Sequence, residues 1–224
     1  MKSPHAISKK ELDLNRLLNA FPDWFLKHSK DEQIVSLSIY RLLVKGKPVS
    51  KRVLAEVSGI PVDRVEKILS SWSGIYFNDV NEIIGYWGLG LVEMPHQFIV
   101  DGITLYTWCA WDALFIPQLI EKSAMIRSTC PISKQNIQLE VAPKGIESLT
   151  PESTLITFID PPSSEKIKDD LVGCFCHFVH FIYSADEIKK WESEHQGSYL
   201  YLEPNEAYEL GQLKNRTQYT HHYV

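Results

Sequence analysis

Up to about residue 70 the apolar residues recur every three or four positions, the period of helices with one buried face. Glu11 to about Phe21 reads as a short helix stopped by Pro22. Ser29-Lys-Asp-Glu32 is a capping box that opens a helix with Ile34, Leu37, Tyr40 and Leu42 as its stripe, and Pro48 ends it. Ser50 caps a second helix, Lys51 to Val57. Gly59 turns the chain, and Pro61 opens a third helix with Val62, Val65, Ile68 and Leu69 facing inward. Two strand-like pieces follow, 74–77 and 82–86, joined across Asn78–Asn81. Three helices and a hairpin predict a winged helix-turn-helix-like unit over residues 1–85, with 1–30 as a helical extension.

Beyond residue 85 the pattern changes to short runs of β-branched and aromatic residues between turn signals. It predicts strands near 89–93, 97–107, 124–130, 137–142, 154–159 and 174–183. Helices are expected near 109–121, 165–172, 185–195 and 204–214. Strands do not alternate regularly with helices, so residues 86–224 read as an α+β domain, a mainly antiparallel sheet with flanking helices. Gly88-Leu-Gly90 lacks the third glycine and the strand–helix context of a nucleotide-binding loop.

Composition adds a charge asymmetry. The 224 residues carry a net −5, distributed as +3 over residues 1–85 and −8 over 86–224, which supports the boundary. The expected third helix balances Asp63 and Glu66 against Arg64 and Lys67, and Asp79 sits at the hairpin tip. A DNA-reading helix needs surplus positive charge, so no nucleic-acid partner is expected. The polar N-terminus has no secretory leader, no long apolar run suggests a membrane span, and there are four cysteines. A soluble cytoplasmic protein with reduced thiols is expected.

The candidate chemistry lies in Trp108-Cys-Ala-Trp-Asp112 and Cys174-Phe-Cys-His177. Cys109 and Asp112 are spaced i, i+3, which on a helix puts thiol and carboxyl on one face. Strand-like Ile103–Thr107 leads in, so Cys109 is expected at a strand-to-helix junction, where the helix N-terminus favours thiolate. Thiolates are the preferred ligands of soft metals. Asp112, among Trp108, Trp111, Leu114 and Phe115, is expected to have a raised pKa and to hold a proton near neutrality. The competing reading of a cysteine among aromatic residues is a small buried hydrophobe. Read as a strand, 174–183 puts Cys174, Cys176, Phe178, His180 and Ile182 on one face and His177 on the other. Cys174 and His180 are then core residues by default. Cys-x-Cys with nearby histidines raises zinc, but structural zinc sites take two short-spaced ligand pairs and the chain offers one. Cys130, in a turn-rich stretch, reads as a hairpin corner.

The chain resembles the organomercurial lyases, also called alkylmercury lyases. The resemblance rests on Gly46-Lys-Pro-Val-Ser50 with Val65–Leu69, Ile83-Ile-Gly-Tyr86, Leu105–Pro117, Phe175-Cys-His-Phe-Val-His-Phe181, Trp191 with His195-Gln-Gly197, and Glu206-Ala-Tyr with Leu210-Gly-Gln212 and Asn215-Arg216. It implies protonolytic cleavage of a carbon–mercury bond to hydrocarbon and Hg(II), by a winged-helix-like domain packed on a catalytic α+β domain. Cys109 and Cys176 match the thiolates that hold mercury as substrate and product. Asp112 matches the proton donor and is an optional further ligand, and Cys130 matches a structural cysteine. No cofactor is implied. An external small thiol releases the product, Hg(II) passes on to a mercuric reductase, and the chain is a monomer or weak dimer. The chain departs from the pattern in having His177 where some members have a second cysteine, and in having Cys174. A thiol protein that binds or senses mercury without turnover is the alternative.

Overall fold

In a computed structural model of the chain, residues 17, 28–159, 170–195 and 199–222 are described. The expected helix Glu11–Phe21, apart from Leu17, and most of that at 165–172 lie outside them.

The helical part follows the sequence closely. Helix α1 (Lys30–Leu43) begins at the Ser29–Glu32 capping box, with both reciprocal hydrogen bonds formed. Ser50 caps α2 (Lys51–Ser58), and Gly59 ends it at φ +69°. Helix α3 spans Val62–Ser71 and buries Val65, Ile68 and Leu69. Strands β1 (Ile75–Phe77) and β2 (Ile83–Tyr86) form the expected hairpin.

That hairpin is also the edge of a larger sheet. Strands β3 (Leu89–Gly90), β4 (His96–Val100), β5 (Ile103–Thr107), β6 (Ala124–Thr129), β7 (Asn136–Ala142) and β8 (Gly145–Thr150) continue it. The order is β1-β2-β3-β5-β4-β6-β7-β8, with every pairing antiparallel. A second antiparallel sheet sets β9 (Leu155–Ile159) between β10 (Phe181–Ile182) and β11 (Tyr199–Leu202). Helices α4 (Asp112–Ile120), α5 (Ile188–Glu194) and α6 (Pro204–Gln218) complete an α+β architecture, as the pattern predicts.

Helix α4 is apolar almost all round and is buried, as such a helix must be. It packs against α1, α6 and β7. Helix α6 grips it: Trp111 Nε1 donates to the Ala207 carbonyl at 3.0 Å and Asn215 Nδ2 to the Phe115 carbonyl at 3.0 Å. Gly211 makes this approach possible, since a Cβ there would lie 2.7 Å from Phe115 Cβ.

Four elements differ from expectation. The run 97–107 is two strands, β4 and β5, turned at Asp101–Gly102, where both residues have positive φ. The run 89–93 pairs only at Leu89–Gly90. Helix 109–121 begins at Asp112. The expected strand 174–183 is mostly not one: 170–174 are helical, Cys176–Phe178 is a 3-10 turn, and only Phe181–Ile182 pairs. The backbone groups of 178–180 bond to the Thr157 hydroxyl and to Ala110 instead of completing a ladder. The period-two face proposed for Cys174 and Cys176 therefore does not exist. Strands β8 and β11 have no counterpart in the sequence reading. β8 is an edge strand of mixed polarity, Gly-Ile-Glu-Ser-Leu-Thr, and β11 is four residues long.

Candidate active site

Cys109 lies in the turn between β5 and α4, one residue past Trp108, whose N–H donates to the Gly88 carbonyl at 3.0 Å. The Cys109 N–H donates to Asp112 Oδ2 at 3.0 Å. Asp112 is the first residue of α4, and its carboxylate turns back to accept the N–H of Cys109, which lies in the turn before the helix. Cys109 does occupy the strand-to-helix junction.

Cys176 arrives from the other sheet. Its 3-10 turn is cross-braced by the Thr157 hydroxyl, which donates to the Phe178 carbonyl at 2.7 Å and accepts the His180 N–H at 2.8 Å. The His180 ring donates to the His177 carbonyl at 2.8 Å. One hydrogen bond ties the two thiol turns directly: Ala110 N–H to the Val179 carbonyl, 3.0 Å.

The two sulfurs and a carboxylate oxygen converge, with the three ligand atoms all within 4.8 Å of one another and all three residues buried. That separation suits two thiolates sharing one ion at roughly 2.3–2.5 Å each, by analogy with zinc–thiolate lengths. Cys174 is half-buried and outside this trio, and His177 is exposed. Cys130 is elsewhere, its thiol donating to Glu187 at 2.8 Å and accepting the Tyr183 N–H at 3.5 Å. None of the four cysteines is in a disulfide.

Electrostatics correct one expectation. Burial pushes the Cys109 thiol well above its ordinary value, aided by its hydrogen bond to Cys176 and the nearby Asp112 charge. The helix N-terminus does not win, because the Cys109 N–H is already engaged by Asp112 and the thiol is fully enclosed. At Cys176 the hydrogen bond from Cys109 pulls downward, but burial and the Asp112 charge outweigh it and the thiol is again raised. Asp112 is pushed up to about 6 by burial, against hydrogen bonds from the Cys109 thiol and N–H and the charge of Lys214. Near neutrality both its carboxylate and its acid form are therefore accessible.

Lys214 escaped the sequence reading. It is buried on α6, with Nζ 3.9 Å from the Phe115 ring centroid, and burial lowers it to about 7 against the pull of Asp112. The signal was available: Lys214 falls on the same helical stripe as Ala207, Leu210, Gly211 and Gln218, all buried. A lysine in that stripe needs a reason.

Residues 89–214 match the family profile "MerB: Alkylmercury lyase". The chain belongs to the alkylmercury lyase family. The Pseudomonas putida alkylmercury lyase is 37% identical over 186 residues, 83% of this chain and 85% of the relative. The Bacillus cereus alkylmercury lyase is 34% identical over 175 residues, 78% of each. The solved "mercury-bound form of MerB2" superposes with a TM-score of 0.68 over 92% of this chain and 99% of that one. At 23% identity that likeness is one of fold. The protein is thus a lyase that cleaves the carbon–mercury bond of organomercurials, and the alternative of a non-catalytic mercury-binding or sensing protein is not favoured. Among the described residues, no helix is long and apolar enough to cross a membrane.

Proposed function

We propose that Cys109, Cys176 and Asp112 are the residues that perform this protonolysis. The observation that carries the assignment is the convergence of two thiols and one carboxylate within 4.8 Å in a buried site. Cys176, slightly more exposed than Cys109, captures the substrate first. R–Hg–SR′ exchanges its small thiolate for the Cys176 sulfur, and the Cys176 proton leaves on R′SH. The Asp112 carboxylate then takes the Cys109 thiol proton, the sulfur and a carboxylate oxygen lying within 4.8 Å of each other, as the Cys109 sulfur joins the metal. Two sulfur donors push electron density toward the carbon. Asp112 delivers its proton there, R–H departs, and Hg(II) stays between the two sulfurs. Overall, R–Hg–SR′ and two thiols give R–H, R′SH and Hg(S-Cys)₂, with Asp112 again ionised.

Two external thiols then remove Hg(II) and restore both cysteines, and this need for free thiol supports a reducing compartment such as the cytoplasm. Hg(II) released as a bis-thiolate is a form that a mercuric reductase could accept by thiol exchange. The division near residue 85 goes with this reading: the three reacting residues follow it, and α1 packs against α4 from before it. The winged-helix-like part has no DNA role, as its third helix carries no net charge.

The test is hydrocarbon release from phenyl- and methylmercury with excess small thiol. Cys109→Ser and Cys176→Ser should each abolish release. Full turnover in either variant would refute the assignment.

A further inference from the structure

Trp87 and Gly88 join β2 to β3 as a two-residue hairpin turn, with φ +32° at Trp87 and +96° at Gly88. Two consecutive positive φ angles are the pattern of a type I′ turn, whose first position favours asparagine or glycine. A tryptophan there is strained, and it persists only where its surroundings hold it. Three hydrogen bonds do so. The Trp87 N–H donates to the Gly74 carbonyl at 2.9 Å, and the indole Nε1–H to the Ser73 carbonyl at 2.9 Å. The Trp87 carbonyl accepts from the Tyr40 hydroxyl at 2.7 Å.

Tyr40 reaches the turn from α1, across the division near residue 85, and is fully buried. Its ring meets Tyr86 edge-on with centroids 5.1 Å apart. One turn earlier on α1, Ser36 Oγ accepts from the Tyr86 hydroxyl at 2.9 Å. The helix thus grips two consecutive residues, Tyr86 by its side chain and Trp87 by its backbone. The far half of the turn faces the reaction. The Gly88 carbonyl accepts the Trp108 N–H at 3.0 Å, and the Gly88 Cα lies against the Asp112 carboxyl, where a Cβ would come within 2.4 Å of Cγ. The Trp87–Gly88 peptide is planar, so a hydroxyl that fixes the Trp87 carbonyl also fixes the direction in which Gly88 sets out. Burial, Tyr219, Tyr86 and the Asp112 charge all raise the Tyr40 hydroxyl, which therefore stays a donor and lies within electrostatic reach of that carboxyl.

We propose that Tyr40 is a positioning residue for the protonolysis: its hydroxyl holds the strained Trp87–Gly88 turn in the orientation that seats the Asp112 carboxyl beside the two sulfurs. The inference rests on the assignment of Asp112 as the proton donor. It gives the helical part of the chain a share in the reaction, exerted through the backbone of one turn. Without the hydroxyl the Trp87 carbonyl loses its partner, the peptide can rotate, and the wall behind the carboxyl gives way. Mercury capture by the thiols does not depend on that wall.

The test is Tyr40→Phe, which keeps the ring and its contact with Tyr86 and removes only the hydroxyl. Tyr86→Phe is the comparator, since it removes a buried hydroxyl of the same network that bonds Ser36 rather than the turn. Both variants and the full chain are assayed, per folded molecule, for hydrocarbon release from phenylmercury with excess small thiol. A second assay follows single-turnover release from stoichiometric phenylmercury without added thiol. Tyr40→Phe should lose about tenfold in kcat and in the single-turnover rate with KM within about twofold, the scale for an acid loosened but not removed. Tyr86→Phe should lower the thermal midpoint and keep kcat. Unchanged kcat in Tyr40→Phe, a loss carried by KM, or an equal loss in Tyr86→Phe would overturn the positioning role and leave the assignment of Asp112 standing. Full turnover in Asp112→Asn would overturn that assignment and the role of Tyr40 with it.

Discussion

Gly88 and the Asp112 carboxyl compete for one space: a Cβ on Gly88 would lie 2.4 Å from both Cγ and Oδ1 of Asp112. Gly88 also has φ +96°, in the left-handed region. Its carbonyl accepts the Trp108 N–H, so one glycine between β2 and β3 sets both the turn before Cys109 and the seat of the carboxylate.

Gly88→Ala should therefore lower hydrocarbon release by a factor on the order of 10² or more, since a misplaced acid loses most of what proton transfer contributes. The backbone strain should cost about 1–3 kcal/mol of stability. Gly59→Ala is the control. Its φ is +69° but nothing lies within 4 Å of the added methyl, so stability should fall without loss of turnover per folded molecule. Chemical denaturation and product release on the same preparations separate the two.

Asp112→Asn should keep mercury binding through the two thiols yet lose cleavage by about 10²–10⁴, the usual worth of general acid catalysis. Its effect on stability has a definite sign. In the fold Asp112 titrates at about 6, above its ordinary 3.8. The native state thus binds more protons than the unfolded chain between those values, and stability falls as pH rises through them. Above pH 6 the buried charge costs about 3 kcal/mol, at 1.36 kcal/mol per unit. Asparagine carries no charge, so the variant's thermal midpoint should gain on the native one between pH 4 and 7. A variant that is less stable at pH 7 and fully active would make Asp112 a brace of the Cys109 turn and nothing more.

The helices at 30–71 and the core strands β6 and β7 were legible because their signals are local: the Ser29–Glu32 box, the Ser50 cap, and alternation such as that of β6, which buries every second residue. The Cys109–Asp112 pair was legible from spacing. The Cys176 turn was not, because Gly173–Tyr183 has strand composition, and what bends it is a hydroxyl on β9, distant in sequence. The thiolate expectation failed for a related reason: a helix N-terminus is visible in sequence, whereas complete burial of Cys109 is a property of the packed molecule.

Thr157→Val tests that brace. Valine matches the shape but leaves the Phe178 carbonyl and the His180 N–H without their partner, both near the core. The expected cost is about 1–3 kcal/mol, with a fall in kcat as the Cys176 turn loosens relative to Cys109. Thr157→Ser restores the hydroxyl and should recover kcat even where stability stays lower. If valine lowers stability but not kcat, the brace supports the fold without positioning the sulfur.

Acid should destabilise the enzyme below pH 6.5, and histidines should be the cause. Burial lowers His28 to about 4, His96 to about 3 and His180 to about 4, from an ordinary 6.5. In that window the unfolded chain binds more protons than the native one, so stability falls as pH falls. Asp112 acts in the opposite sense, since its raised value makes the native state the better proton acceptor between about 6 and 4. Magnitudes decide the outcome: Asp112 and each of His28 and His180 shift by about 2–3 units, so two histidines already outweigh one carboxyl by roughly 3 kcal/mol near pH 4. His96 adds to this. Its Nδ1 bonds the Ser128 hydroxyl at 2.7 Å, while Nε2 is buried beside the His180 ring with no hydrogen-bond partner among the described residues, so a second proton would meet no acceptor among them. Against a total stability of about 5–15 kcal/mol, the loss should be evident by pH 4.5. Denaturant midpoints at pH 7.5, 5.5 and 4.5 measure it. His96→Gln, which cannot take up the charge, should flatten the decline, and an equally steep decline in that variant would assign the acid lability to other groups.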